Sequence, residues 1–168
     1  KDMDMTPRIV FAGALRLSPH ARVWPVTLIT ALLIGGPIQL VQAQMIEASG
    51  DVDPFPPASP GPVWNIGGSL SVGKADTGTL TIRDGAAIKG ANGHIGEEAG
   101  SNGTVTVTGK DSNWNSAGGL TVGERGTGRL IIQDQAQVVS RDGTLGDWDS
   151  GSGEVLVSGV GSRWDMRS

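Results

Sequence analysis

Short runs in which apolar and polar residues alternate fill the chain from Trp64 onward, and Gly, Asn, Asp or Ser closes each run. Leu70–Gly73, Thr79–Ile82, Thr104–Thr108, Leu120–Gly123, Leu130–Ile132 and Glu154–Ser158 are β-branched and shorter than any amphipathic helix, so the pattern predicts strands throughout. The pattern is also written twice. Trp64, Trp114 and Trp164 are evenly spaced, and aligning 64–113 with 114–163 without a gap gives 19 identities in 50, most of them Gly, Trp or aliphatic. A fixed period of this length marks a stacked array. Within each copy Val72-Gly73 and Thr79–Ile82 return half a period later as Ile95-Gly96 and Thr104–Val107. The unit is therefore a coil of about 25 residues, and the repeat region holds about four.

Side-chain identity held at fixed register suits a coil lying on its own copy, because equivalent positions then stack at about 4.8 Å. Leu70 with Leu120, Val72 with Val122, Leu80 with Leu130, Ile82 with Ile132, Val105 with Val155 and Val107 with Val157 are expected to build interior aliphatic ladders. Gly73 and Gly123, Gly96 and Gly146, and Gly109 and Gly159 are expected at corners needing positive φ or close backbone approach. Trp64, Trp114 and Trp164 are expected to pack at a coil corner rather than to stack sugars. The expected architecture is all-β, a parallel β-helix.

The chain up to Val63 reads differently. Val23 to Val41 carries no charge, and Gly35-Gly36-Pro37 interrupts it, leaving an apolar core Val26–Ile34 of signal-peptide length. Val41-Gln42-Ala43 follows with leader-peptidase character, and the next charges are the acids Glu47, Asp51 and Asp53. The segment 1–43 is thus expected to be an extended signal peptide, cleaved after Ala43, in preference to a transmembrane anchor. The chain opens on Lys1 with Met3 and Met5 close behind, so its true start is expected elsewhere. In 44–63 the prolines Pro54, Pro56, Pro57, Pro60 and Pro62 crowd together, which predicts a disordered Pro-rich linker.

The motif W-N-x-x-G-x-L-x-V-G, then G-x-L-x-I, then I-G, then G-S-x-G-x-V-x-V-x-G-x-x-S-x-W resembles the type V secretion and PEP-CTERM-associated repeat of autotransporter passenger regions. The resemblance covers 64–168 and takes in 64–113, 114–163 and the start of a third copy at 164. It implies a right-handed β-helical stalk or adhesin, exported through the inner membrane by its signal peptide and displayed at the outer surface of a Gram-negative cell. The implied partners are a host-surface glycan or protein, or other bacterial cells. A third copy has only begun at Trp164, so the chain is read as a piece of a longer rod, whose open end invites end-to-end self-association.

Composition narrows the chemistry. There is no cysteine, which excludes disulfides and thiolate metal sites. Glycine supplies 27 of 168 residues, and its recurrence in register marks turns rather than low complexity. The net charge is −4, and the stretch 64–168 carries nine Lys/Arg against twelve Asp/Glu, with no basic stripe interleaved with aromatics; nucleic acid is not an expected partner. His20 and His94 are the only histidines, so no His-based zinc site or triad is expected.

A second function class is open to such a fold. Some β-helices are polysaccharide lyases or hydrolases, which need carboxylates, or a carboxylate with a base, on one face. Asp84 and Asp134 repeat after Ile82 and Ile132 and are expected to be turn formers. The non-repeated set His94, Glu97, Glu98, Lys89, Asp147, Trp148 and Asp149 is the place where such a site would lie, and solvated turns are the plainer expectation. The calcium pattern Gly-Gly-x-Gly-x-Asp is absent. Gly159-Val160-Gly161 lacks a strand-to-helix context, and Asn102-Gly103-Thr104 reads as a turn rather than a glycan acceptor. No catalytic residue, cofactor or metal is expected.

Overall fold

The computed structural model describes residues 44–167, so the signal peptide over 1–43 and its cleavage after Ala43 lie outside the described residues. The described residues contain fifteen strands and no helix. Four consecutive turns each contribute three strands, preceded by β1 (Met45–Gly50) and β2 (Val52–Asp53). The first turn is β3 (Val63–Asn65), β4 (Leu70–Val72) and β5 (Thr77–Arg83); the second is β6 (Ala87–Gly90), β7 (Gly93–Ile95) and β8 (Asn102–Thr108). The third is β9 (Asn113–Ser116), β10 (Leu120–Val122) and β11 (Thr127–Gln133); the fourth is β12 (Gln137–Ser140), β13 (Gly143–Leu145) and β14 (Ser152–Val157). A final strand β15 (Arg163–Met166) begins another turn.

Each strand of a turn pairs in parallel with its counterpart one turn on, and three five-stranded sheets surround one core. The protein is a parallel β-solenoid. The long-stranded sheet holds β5, β8, β11 and β14, and its inward columns are Leu80–Val105–Leu130–Val155 and Ile82–Val107–Ile132–Val157. The second sheet stacks β4, β7, β10 and β13, with the column Val72–Ile95–Val122–Leu145. The third stacks β3, β6, β9, β12 and β15. Ladder members of the first three turns are essentially dry, whereas on the fourth turn Leu145 is 50% and Val157 45% exposed.

The opening of the segment expected to be a disordered linker forms strands. β1 runs antiparallel along β5, and β2 antiparallel along β4. Ile46 and Val52 are buried and sit over the first rung of the core. The prolines begin only at Pro54. The expectation of disorder over 44–53 is therefore corrected. Without a cover, the leading edges of β4 and β5 would leave their backbone groups and the first apolar rung to solvent, which edge strands generally avoid.

The sequence period is two coils rather than one, and the spacing of the rungs shows why. In the long-stranded sheet the rungs Leu80, Val105, Leu130 and Val155 are evenly spaced at half the period. In the second sheet the step from Leu70 to Gly93 is shorter than the step from Gly93 to Leu120. In the third, Trp64, Ile88, Trp114, Val138 and Trp164 alternate a shorter and a longer step. Two coil types alternate, one with Trp and Leu, the other with Ile or Val and Gly.

Candidate functional site

The corners set what the surface presents. Gly73, Gly96, Gly123 and Gly146, which leave the second sheet, have φ of 68°, 71°, 73° and 64°; Gly109 and Gly159 have 88° and 84°. Asp84 and Asp134 have φ of 58° and 55° at the turn after β5 and β11, a conformation that Asp tolerates better than most side chains. Each of these turns is tied to the next coil by a serine, with the amide of Gly85 donating to Ser112 Oγ and that of Gln135 to Ser162 Oγ, both at 3.0 Å. Trp64 and Trp114 point inward and are buried. Trp164 is partly buried, and its indole N–H donates to Ser140 Oγ at 2.9 Å. Inward-facing rings of this kind are packing elements and present no sugar platform.

The non-repeated polar residues separate into two places. The outward column of the second sheet runs Ser71, His94, Thr121, Thr144. At the corner beside it the amide of Glu97 pairs with Gly73 O, that of Glu124 with Gly96 O, and that of Asp147 with Gly123 O, so Lys74, Glu97, Glu124 and Asp147 form the adjoining column. Two cross-coil bonds result. Ser71 Oγ donates to Glu97 Oε2 at 2.7 Å, and His94 Nδ1 lies 2.9 Å from Glu124 Oε2. The His94 and Glu124 side chains are 29% and 25% exposed. Arg125 stacks over the Trp148 ring at 4.5 Å from its centroid, a cation–π contact on the following rung. Glu98, Asp147 and Asp149 are exposed. Among the described residues no group of three or more His, Asp or Glu is disposed to hold a metal ion.

Lys89 is on another face. It belongs to the outward column Asn65, Lys89, Asn115, Val139, Asp165 of the third sheet. At the corner next to that column the small residues Gly67, Gly90, Ala91 and Ala117 leave a shallow trough of about 360 Å³, with Asn65, Lys89 and Asn115 beside it. A second depression of about 390 Å³ continues it, sharing Asn115 and Ala117 and ending at Ser140, Arg141 and Arg167. Together they make a groove that climbs the solenoid across its turns. Alignment of the two sequence copies does not show this groove, because the residues that shape it are small and come from both coil types.

No family model matches the chain, and neither a curated protein nor a solved structure is significantly similar to it. What the fold and surface define is a class: a parallel β-solenoid repeat protein with one sheet-corner groove and a polar cluster at another corner.

Proposed function

We propose that the chain is a β-helical passenger segment of an autotransporter-like protein, a rigid stalk and adhesive rod exported through the inner membrane and exposed at the surface of a Gram-negative cell. One observation carries the reading. Most repeated positions are the core columns, the Trp column and the corner glycines, whereas many outward positions differ between copies, as in Lys74 and Glu124, Ala75 and Arg125, or Thr104 and Glu154. Structure is repeated and surface is varied, which suits a rod carrying a local binding face. Its mechanism is geometric: stacked backbone ladders hold a surface at a fixed distance from the cell. The test is expression of the full chain in a Gram-negative host, with N-terminal sequencing of the exported product and adhesion to immobilised matrix protein, glycan and bacterial cells. A product beginning at Gln44 that adheres to one of these supports the reading; a chain retained in the cytoplasm opposes it.

A secreted carbohydrate-active enzyme is the second reading, and one observation favours it. Glu97 and Glu124 lie on consecutive rungs of one corner column, so two carboxylates share one face, as a glycosidase requires. Ser71 and His94 orient one carboxylate each. Turnover of an acidic glycan, abolished by Glu97→Gln and by Glu124→Gln, would favour this class over the rod.

A further inference from the structure

We infer that the groove along the third sheet binds an extended acidic polysaccharide, lying parallel to the solenoid axis with its carboxylates or sulfates on Lys89, Arg141 and Arg167. The inference deepens the adhesive reading and rests on it, because it names the ligand class of that rod and the face that holds it.

The groove has the shape of a track. Its floor is lined by Gly67, Gly90, Ala91 and Ala117, all small. One wall is Asn65, Lys89 and Asn115 on three consecutive rungs. At the far end Arg167 donates its amide to Ser140 O and Arg141 donates its own to Gly118 O, which places the two arginines on adjacent rungs of one column. The groove thus runs across strands, and its chemical groups recur at about 4.8 Å intervals. Lys89 and Arg141 are two rungs apart, about 10 Å, comparable to the disaccharide repeat of an extended glycan.

Its charge stands out from the rest of the surface. The chain is net negative, and most of its cations in the described region are engaged: Lys74, Arg83, Arg129, Arg141 and Arg163 form ion pairs. Arg125 is stacked on Trp148. Among the described residues Lys89, Lys110, Arg125 and Arg167 form no ion pair, and two of these four, Lys89 and Arg167, line the groove. The ion pair that Arg141 does make, to its neighbour Asp142 at 3.0 Å, is between side chains 64% and 60% exposed, and such pairs exchange readily for an incoming anion. Two guanidinium groups on adjacent rungs repel one another until an anion lies between them, and Arg is suited to bidentate contact with carboxylate or sulfate.

The floor of small apolar residues, with amides and cations at its margins and no aromatic ring, selects the ligand class. The side-chain amides of Asn65 and Asn115 offer both a donor and an acceptor, which match vicinal hydroxyls. A nucleic acid would want aromatic platforms and a longer cationic track, and the groove has neither. An apolar peptide would find no pocket for its side chains.

The experiment is affinity electrophoresis of the full chain through gels holding polygalacturonate, heparin or neutral dextran, at low and at moderate salt. The expected result is retardation by an acidic polymer and not by dextran, weakening with salt. The Lys89→Glu, Arg141→Glu double variant should lose at least tenfold in apparent affinity, and Lys110→Glu, on a different corner, should retain it. Circular dichroism on each variant distinguishes lost binding from lost fold, and the milder Lys89→Gln, Arg141→Gln pair should lose affinity partially. Equal retardation of the double variant, equal retardation by dextran, or no retardation of the wild-type chain by either acidic polymer overturns the inference. Adhesion to cells that survives the double variant would remove the groove while leaving the adhesive rod intact, and a chain that adheres to nothing removes the rod itself.

Discussion

The indole of Trp114 occupies the space that a side chain on Gly93 would need. A Cβ placed on Gly93 would stand 2.6 Å from Trp114 Cζ2 and 3.0 Å from Cη2. The same relationship returns one period later, where a Cβ on Gly143 would meet Trp164 Cζ2 at 2.6 Å. Large and small residues alternate along two neighbouring columns, Trp against Ile or Val in one and Leu against Gly in the other. The ring of each Trp-bearing coil leans over the glycine of the coil before it. This size complement explains why the sequence repeats every second coil.

Breaking either side of that pair should be costly. Trp114→Ala removes a fully buried ring, and about 3–5 kcal/mol of stability is expected to go with it. Gly93→Ala forces a methyl group against the ring and is expected to cost about 1–3 kcal/mol. The two effects should not add. In a Trp114→Leu background Gly93→Ala should cost less, because the contact with the ring has gone while Leu120 Cδ1, also 2.6 Å from such a Cβ, remains. Urea denaturation of wild type, Gly93→Ala, Trp114→Leu and the double variant measures the coupling, and strict additivity would show that the ring and the glycine are independent.

The paired turns after β5 and β11 offer a stabilising change. Both have a left-handed residue at the second position, Gly85 with φ of 80° and Gln135 with φ of 70°. A side chain in that conformation costs roughly 1–2 kcal/mol, partly offset by the extra freedom glycine has in the unfolded chain. Gln135→Gly is therefore expected to raise stability by a few tenths to about 1 kcal/mol, and Gly85→Ala to lower it by a similar amount. Thermal melts read both signs. A destabilised Gln135→Gly protein would mean that the Gln135 side chain makes a contact worth more than the strain.

Much of this architecture was legible in the chain, and for a physical reason. The columns Leu80–Val105–Leu130–Val155 and Ile82–Val107–Ile132–Val157 stack at an even half period, so alternation and repeat phase alone bring them together. The cap was not legible. β1 and β2 run antiparallel to the sheets they cover, carry no copy of the repeat motif, and lie directly before a proline cluster that dominates any local reading. Nor could the Ser71–Glu97 and His94–Glu124 contacts be read from an alignment of the two copies. The partners stand 26 and 30 positions apart, so neighbours across coils fall out of phase with the repeat. The groove residues are out of phase for the same reason, and Lys89, close in sequence to the acids Glu97 and Glu98, stands on another face.

The cap is held mainly by its ladder rather than by its ion pair. Arg83 bonds Glu47 at 2.9 Å across β5 and β1, and the hydrogen bond to that carboxylate holds the guanidinium even further above its ordinary range. The two side chains are 38% and 55% exposed, however, and pairs of that kind contribute between zero and about 1 kcal/mol. Glu47→Gln should therefore shift stability by less than about 1 kcal/mol. Ile46→Ala, which uncovers the first rung, should cost about 2–5 kcal/mol. The reverse ranking in denaturant melts would make the cap an electrostatic device.

Asp51, between the two cap strands, ties the cap to acid stability. Its carboxylate accepts the amides of Ala75 at 2.6 Å and Asp76 at 2.9 Å, while its own carbonyl accepts the amide of Gly73. The two amide bonds, Ala75 first, hold its carboxyl below the ordinary carboxylate range, with partial burial opposing them and Lys74 adding a smaller pull in the same direction. The folded protein thus binds this proton less readily than the unfolded chain does. The stabilisation is then fully present above the unfolded value of about 3.9 and is lost as pH falls below it through the lowered folded value. Asp51→Asn should be less stable than wild type at pH 7, and the gap should narrow steadily below about pH 4. The difference between the two melting curves across pH is the readout for this group. A gap that stays constant down to about pH 2.5 would mean that Asn at this position loses only shape, and that the charge on Asp51 does not fasten the first coil.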